Sequence, residues 1–189
     1  GGTSEVAVIS LGDIVTAQSI RIAGDDLDEA IINYVRRKHN LIIGERTAEE
    51  IKIKVGRVAE NIAVNKPSEM KVKGRCLVKG LPKVITFYAN ETLDALIEPL
   101  TAIIDTICLV IERTPPELLG DILKNGIVMT GGGSLLYGFD RLIEDVTGIK
   151  TRVAKDPVLC VALGTGELLK TLDKMPGERV DLSKLIKKF

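Results

Sequence analysis

Residues 125 to 140 read NGIVMTGGGSLLYGFD, an apolar run that stops at three consecutive glycines, Gly131, Gly132 and Gly133, and resumes as a Leu-rich pattern with helical spacing. One glycine is enough for a turn after a strand. Three in a row remove every Cβ from the path, which suits a backbone that must come very close to something else. The flanking pattern constrains the architecture: 127–130 has the composition of a buried strand, 135–146 of a helix, 151–153 of a short strand and 158–172 of a closing helix. Strand, glycine turn, helix, strand, helix is the alternation of an α/β fold with a covered sheet.

Upstream, the β-rich runs EVAVIS and DIVTAQSIRI are joined by Leu11-Gly12-Asp13 in the manner of a hairpin. Residues 25–38 switch to helical spacing, with Leu27, Ala30, Ile31, Tyr34 and Val35 on one face. A second helix is predicted from Thr47, where Thr-Ala-Glu-Glu has the form of a capping box closed by Glu50, to about Val58. Residues 59–69 show no period, contain Pro67 and read as a surface loop. EMKVKGRCLV and PKVITFY, around Lys79-Gly80-Leu81, form another hairpin in a charged β-rich block. From 90 to 113 the apolar residues Leu93, Leu96, Ile97, Leu100, Ile103, Ile104, Ile107 and Val110 describe a long core-facing helix that Pro99 should kink or delay. Thr114-Pro115-Pro116-Glu117 reads as a further helix start, with Glu117 in the reciprocal capping place and an end near Leu123.

Composition narrows the function classes. The chain is 45% hydrophobic, ordinary for a packed core, and its 26 Lys plus Arg balance 26 Asp plus Glu, so no global field favours nucleic acid as a partner. Cys76, Cys108 and Cys160 are scattered without a CxxC, which points to small buried apolar side chains in a reducing cytoplasm and to neither a disulfide framework nor zinc. Asp105 and Glu112 interrupt the longest apolar stretch, no signal peptide is present, and the opening GGTSEV already lies inside a strand pattern, as in a piece of a longer protein. His39 is the only histidine and has no nucleophile at a recognisable spacing, so a hydrolase triad is not indicated. Arg36-Arg37-Lys38-His39 complements a helix C-terminus, and Asp25, Asp26 and Asp28 suit a first helical turn better than magnesium binding. Gly164 and Gly166 would thin a helix face for close packing, and the tail DLSKLIKKF reads as a frayed end.

Three remote segments read together as glycine turns or capped helix starts: Gly1-Gly2-Thr3, residues 47–52 and residues 130–134. Such turns expose backbone amides, and helix N-termini add partial positive charge. GGTSEVAVISLGDIV, IRIAGDDLDEAIINYVRRKHNLIIGERTAEEIK, KGLPK, ERTPPELLGDI, GIVMTGGGSLLYGFDRLIEDVTGI and AKDPVLCVALGTG resemble successive blocks of the bacterial actins of the MreB family, with 56–73 matching least.

The resemblance implies an actin-like ATPase fold (α/β, ribonuclease H-like), present as its second lobe only, with a smaller α+β subdomain inserted. Residues 1–23 and 91–160 would form subdomain IIA, 24–90 the inserted subdomain IIB, and 161–189 a closing helix and tail that would pack on the first lobe. It implies ATP and magnesium between two lobes, and filaments at the inner face of the cell membrane that organise wall synthesis and rod shape. The partners would be further copies, cell-shape and wall-synthesis membrane proteins, and the membrane surface through the first lobe. By the same similarity Gly1, Gly2 and Thr3 match the end of an Asp-x-Gly-Gly-Gly-Thr phosphate turn, and Gly24 and Asp26 the start of the next helix near the ribose. Ala48, Glu49 and Lys52 match the Glu-x-x-Lys helix on the adenosine side, with the Lys52 stem on the purine, and Gly131, Gly132, Gly133 and Ser134 match the adenosine turn. No catalytic residue or metal ligand is carried over, so weak nucleotide binding without hydrolysis is expected of this chain alone. A non-catalytic interaction module and a lobe of an actin-superfamily kinase are the alternatives; GERTAEEIK and RTPPELLGDI favour the filament family over kinases.

Overall fold

The computed structural model describes residues 1–59 and 68–172, with side chains as far as Leu169. Most of the predicted 59–69 loop and all of the DLSKLIKKF tail lie outside the described residues. β1 (Ser4–Ser10) and β2 (Asp13–Ile20) form an antiparallel hairpin. Leu11 and Gly12 close it with φ of 54° and 89°, the paired positive values of a type I′ turn, whose twist matches that of the strands. α1 (Gly24–His39) buries Leu27, Ile31, Tyr34 and Val35, the face expected from their spacing. β3 (Leu41–Ile42), β4 (Glu69–Cys76) and β5 (Pro82–Tyr88) make an antiparallel sheet in that order, and α2 (Glu45–Lys54) falls between β3 and β4 in the chain.

α3 (Glu91–Glu112) packs on α1 and on the β1–β2 hairpin and runs through Pro99 as one element. α4 (Pro116–Asn125) leads into β6 (Ile127–Met129), which pairs in parallel with β7 (Thr151–Val153) across α5 (Phe139–Thr147). α6 (Cys160–Leu172) closes the described chain. The core is one cluster in which Ile31 and Val35 of α1, Ile51 of α2, Val72 and Phe87 of the sheet, Leu96 and Leu100 of α3 and Ile143 of α5 are shut from solvent. Each such side chain contributes about 1.5–3 kcal/mol of transfer free energy. No helix among the described residues is long and apolar enough to cross a membrane.

Several element boundaries differ from those the sequence leads one to expect. α2 begins at Glu45, not Thr47: Gly44 is its N-cap, and the Gly44 carbonyl accepts from Thr47 N at 3.0 Å and Ala48 N at 3.1 Å. The capping box is therefore absent, and Glu50 pairs instead with Lys54 at 3.0 Å and Arg46 at 3.7 Å. The helix stops at Lys54, where the Val55 and Gly56 N–H groups both donate to Ile51 O at 3.0 Å, while Val55 and Val58 stay buried outside the helix. Thr114 ends α3 by donating to Val110 O at 2.7 Å and does not cap α4, which starts on Pro116 without any side-chain cap. α4 continues two residues past Leu123, to Asn125.

The helix expected from Leu135 starts only at Phe139. Residues 132–135 form a 3-10 turn, Tyr137 bridges Arg57, and Gly138 takes φ +83° with Ala59 Cβ 2.5 Å from where its own Cβ would stand. Val128 is 46% exposed, so β6 is not covered on both faces, and Ile97 of α3 points to solvent. The three cysteines are half-buried free thiols, not fully buried ones. Nothing lies within 4 Å of a Cβ placed on Gly164 or Gly166, so the close packing expected there is not found among the described residues.

Candidate functional site

The N-terminal turn, the start of α1 and the middle of α2 meet. A Cβ on Gly1 would stand 2.7 Å from Asp25 Oδ1, one on Gly2 3.7 Å from Asp25 Oδ2, and one on Gly24 3.7 Å from both Gly1 O and Lys52 Nζ. Lys52 reaches across from α2: its Nζ donates to Gly24 O at 2.9 Å and to Asp28 Oδ2 at 2.7 Å. Asp26 turns back on its own helix, its Oδ2 accepting from Ala23 N at 2.7 Å, so capping accounts for it without a ligand. Thr3 and Glu49 are exposed, whereas Ala48 is fully buried and its methyl belongs to the core.

Asp25 and Asp28, which sequence reasoning set aside as ordinary first-turn acids, are the carboxylates that face this junction. Burial pushes the Asp28 carboxyl above its ordinary range; the hydrogen bond and charge of Lys52 oppose this, and the charges of Glu49 and Asp25 reinforce it. Asp28 Oδ1 is buried with no hydrogen-bond partner among the described residues.

The third segment is built differently. Gly131 takes φ +80° after β6, and its N–H donates to Pro157 O at 2.8 Å. Ser134 is buried, and its hydroxyl donates to Gly131 O at 2.7 Å, so it braces the turn from inside. Gly132 and Gly133 have ordinary φ and are exposed, and a Cβ on either would meet nothing within 4 Å. Three other glycines are enforced by packing: Gly56, Gly74 and Gly126 each abut a backbone carbonyl, those of Lys52, Ile42 and Lys150. Packing does not explain Gly132 and Gly133.

No hydrogen bond or ion pair links 131–134 to residues 1–3 or to Lys52 among the described residues. The connection runs through the end of α2, where Val58 N donates to Tyr137 O at 2.9 Å and Arg57 bridges Tyr137.

The family model described as MreB/Mbl protein matches residues 1–177. The chain belongs to the MreB/Mbl family. Among curated MreB/Mbl proteins, it is 49% identical over 178 residues to the cell shape-determining protein MreB of Escherichia coli (strain K12), covering 94% of this chain and 50% of that protein. It is 46% identical over 176 residues to the cell shape-determining protein Mbl of Bacillus cereus, covering 93% and 52% respectively. This MreB/Mbl chain thus spans about half the length of the curated relatives it matches. The MreB5 protein of Spiroplasma citri, solved bound to ADP, superposes with a TM-score of 0.87 at 38% identity, over 92% of this chain and 52% of that one. A MamK double helical filament gives a TM-score of 0.72 at 20% identity over 93% and 52%, a likeness of fold alone. The architecture is therefore a part of the actin-like ATPase fold.

Exposed glycine backbone at 132–133 leaves room for a flat group, and Lys52 offers an apolar stem with a polar head. Among the described residues no three His, Cys, Asp or Glu side chains are grouped to hold a cation.

Proposed function

We propose that this MreB/Mbl chain is the lobe of a filament-forming, cell-shape-determining actin-like protein that receives the adenosine end of ATP. The observation that carries this reading is the pair Gly132 and Gly133, glycines that neither backbone torsion nor packing requires, in a family with a member solved bound to ADP and to AMPPNP. The exposed main chain at 132–133 accepts the nucleoside. Gly1, Gly2 and Thr3 lie toward the phosphates, Gly24 and Asp26 toward the ribose, and Glu49 and Lys52 toward the base. When bound, the triphosphate supplies the transferable phosphoryl group; this chain's residues bind and orient.

Residues 1–23 with 91–160, residues 24–90 and residues 161–189 are the units into which this lobe divides. Nucleotide held against two lobes would favour one domain arrangement by differential contacts, and head-to-tail contacts of that arrangement build an open filament. We place the whole protein at the inner face of the cell membrane, with wall-synthesis membrane proteins as partners. Phosphoryl transfer requires charge neutralisation from several sides. A chain half the length of its relatives binds nucleotide with a Kd on the order of millimolar, without hydrolysis, and assembles weakly or not at all.

The test is an amide NMR titration of the 189-residue chain with ADP. The expected result is saturable shifts concentrated at residues 131–133 and around Lys52. Shifts confined to other surfaces, or none at ADP concentrations about ten times the millimolar Kd expected, would overturn the reading.

A further inference from the structure

Lys52 is a residue of α2, yet its head is held by α1, through Asp28 Oδ2 at 2.7 Å and the carbonyl of Gly24 at 2.9 Å. That placement runs against elementary electrostatics. The first turn of a helix carries partial positive charge and repels an ammonium, and a lysine stem has several rotatable bonds with which to swing away. Asp28, one turn into α1, is the group that reverses the preference. The pair is largely shielded, with side-chain exposures of 18% for Lys52 and 14% for Asp28.

An ammonium has three donors. Asp28 and Gly24 take two of them, so one N–H and the methylene stem remain. The other charged groups acting on Asp28 are Glu49 and Asp25, both acidic.

We infer that Asp28 is the positioning residue of the nucleotide site: its carboxylate neutralises Lys52 and fixes its head on the start of α1, directing Lys52 to the uncharged adenosine end of the ligand. This rests on the nucleotide reading above. Asp28 does not touch the ligand; it acts through Lys52. Its second oxygen is buried with no hydrogen-bond partner among the described residues, so Lys52 is the partner through which the carboxylate acts. Burial also lifts the Asp28 carboxyl above its ordinary range, so acid should release Lys52 earlier than an exposed aspartate would.

The experiment is a double-mutant cycle on the full chain with Asp28→Asn and Lys52→Met, read by NMR titration with adenosine and with ADP. Each single variant is expected to weaken adenosine binding roughly tenfold, with the double variant no worse than Lys52→Met, because coupled residues are non-additive. Asp28→Asn should also raise ADP affinity relative to adenosine, since the freed ammonium can turn to phosphate. Wild-type adenosine affinity should fall as pH is lowered from neutrality toward the carboxylate range, and Asp28→Asn should lack that step. Additive losses, an unchanged ADP-to-adenosine ratio or identical pH profiles would overturn the inference. If Asp28→Asn does not fold, the wild-type profile decides, and a flat one overturns it. If wild type shows no ADP shifts at Gly132 and Gly133, the nucleotide reading fails and this role with it; if it shows them and the cycle is additive, only the role of Asp28 falls.

Discussion

His39 Nε2 lies 2.7 Å from Glu91 Oε2, joining the last turn of α1 to the first residue of α3. Glu91 is a buried carboxylate, and its other oxygen accepts from Tyr88 N at 2.9 Å while Lys38 Nζ stands 3.3 Å from Oε2. Burial is the largest single influence and raises the Glu91 carboxyl. The bonds from Tyr88 N–H, His39 and Lys38 together outweigh it, so the net displacement is downward.

A depressed folded-state carboxyl contributes stability that is present above its unfolded range and is lost as pH falls through the folded one. Glu91→Gln is therefore expected to lower stability by about 2 kcal/mol near neutrality, the scale of a charged hydrogen bond. The deficit should shrink as both chains are acidified. Urea unfolding at neutral and acid pH checks this, and a deficit that does not change with pH would show that packing at Glu91, and not its charge, is what matters.

Leu11 is fully exposed at φ 54°, a conformation that costs an L-residue with a Cβ about 1 kcal/mol or more. Asn tolerates it and precedes Gly12 in the preferred I′ pair. Leu11→Asn should stabilise the chain by about 0.5–1 kcal/mol, seen as a higher urea midpoint with unchanged slope.

Val161 and Leu163 of α6 are 76% and 60% exposed. Their replacement by Ser should change the stability of this chain by no more than about 0.5 kcal/mol, as for surface sites in general. A loss of several kcal/mol on thermal unfolding would mean that this face is covered in solution.

Much of the fold was legible because it was written in local patterns. The three-to-four spacing of Ile31, Tyr34 and Val35 gave α1, and Leu-Gly-Asp gave the first hairpin. The two capping boxes failed for a common reason: Thr47 and Thr114 have the right neighbours, but one lies inside a helix already started by Gly44 and the other finishes the helix before it. Val58 kept its apolar place in the spacing although the chain around it had left the helix, since burial and not helix formation sets that pattern. At the site, glycines announced themselves, whereas Asp28 did not. A carboxylate in a first helical turn is unremarkable until Lys52, twenty-four residues away in sequence, is found to reach it.

The glycines themselves allow the sharpest separation of fold from function. A methyl on Gly56 would overlap the Lys52 carbonyl, and overpacking of this kind costs about 1–3 kcal/mol. A methyl on Gly132 would meet open space and should change stability by under about 0.5 kcal/mol. If the open backbone at 132–133 is where a nucleoside lies, the order reverses in binding. Gly132→Ala should then keep the thermal midpoint of the wild type and weaken ADP-induced NMR shifts severalfold, whereas Gly56→Ala should lower the midpoint and, where folded, bind through an unaltered glycine turn. A Gly132→Ala chain that binds ADP as well as wild type would detach the three glycines from the nucleotide altogether.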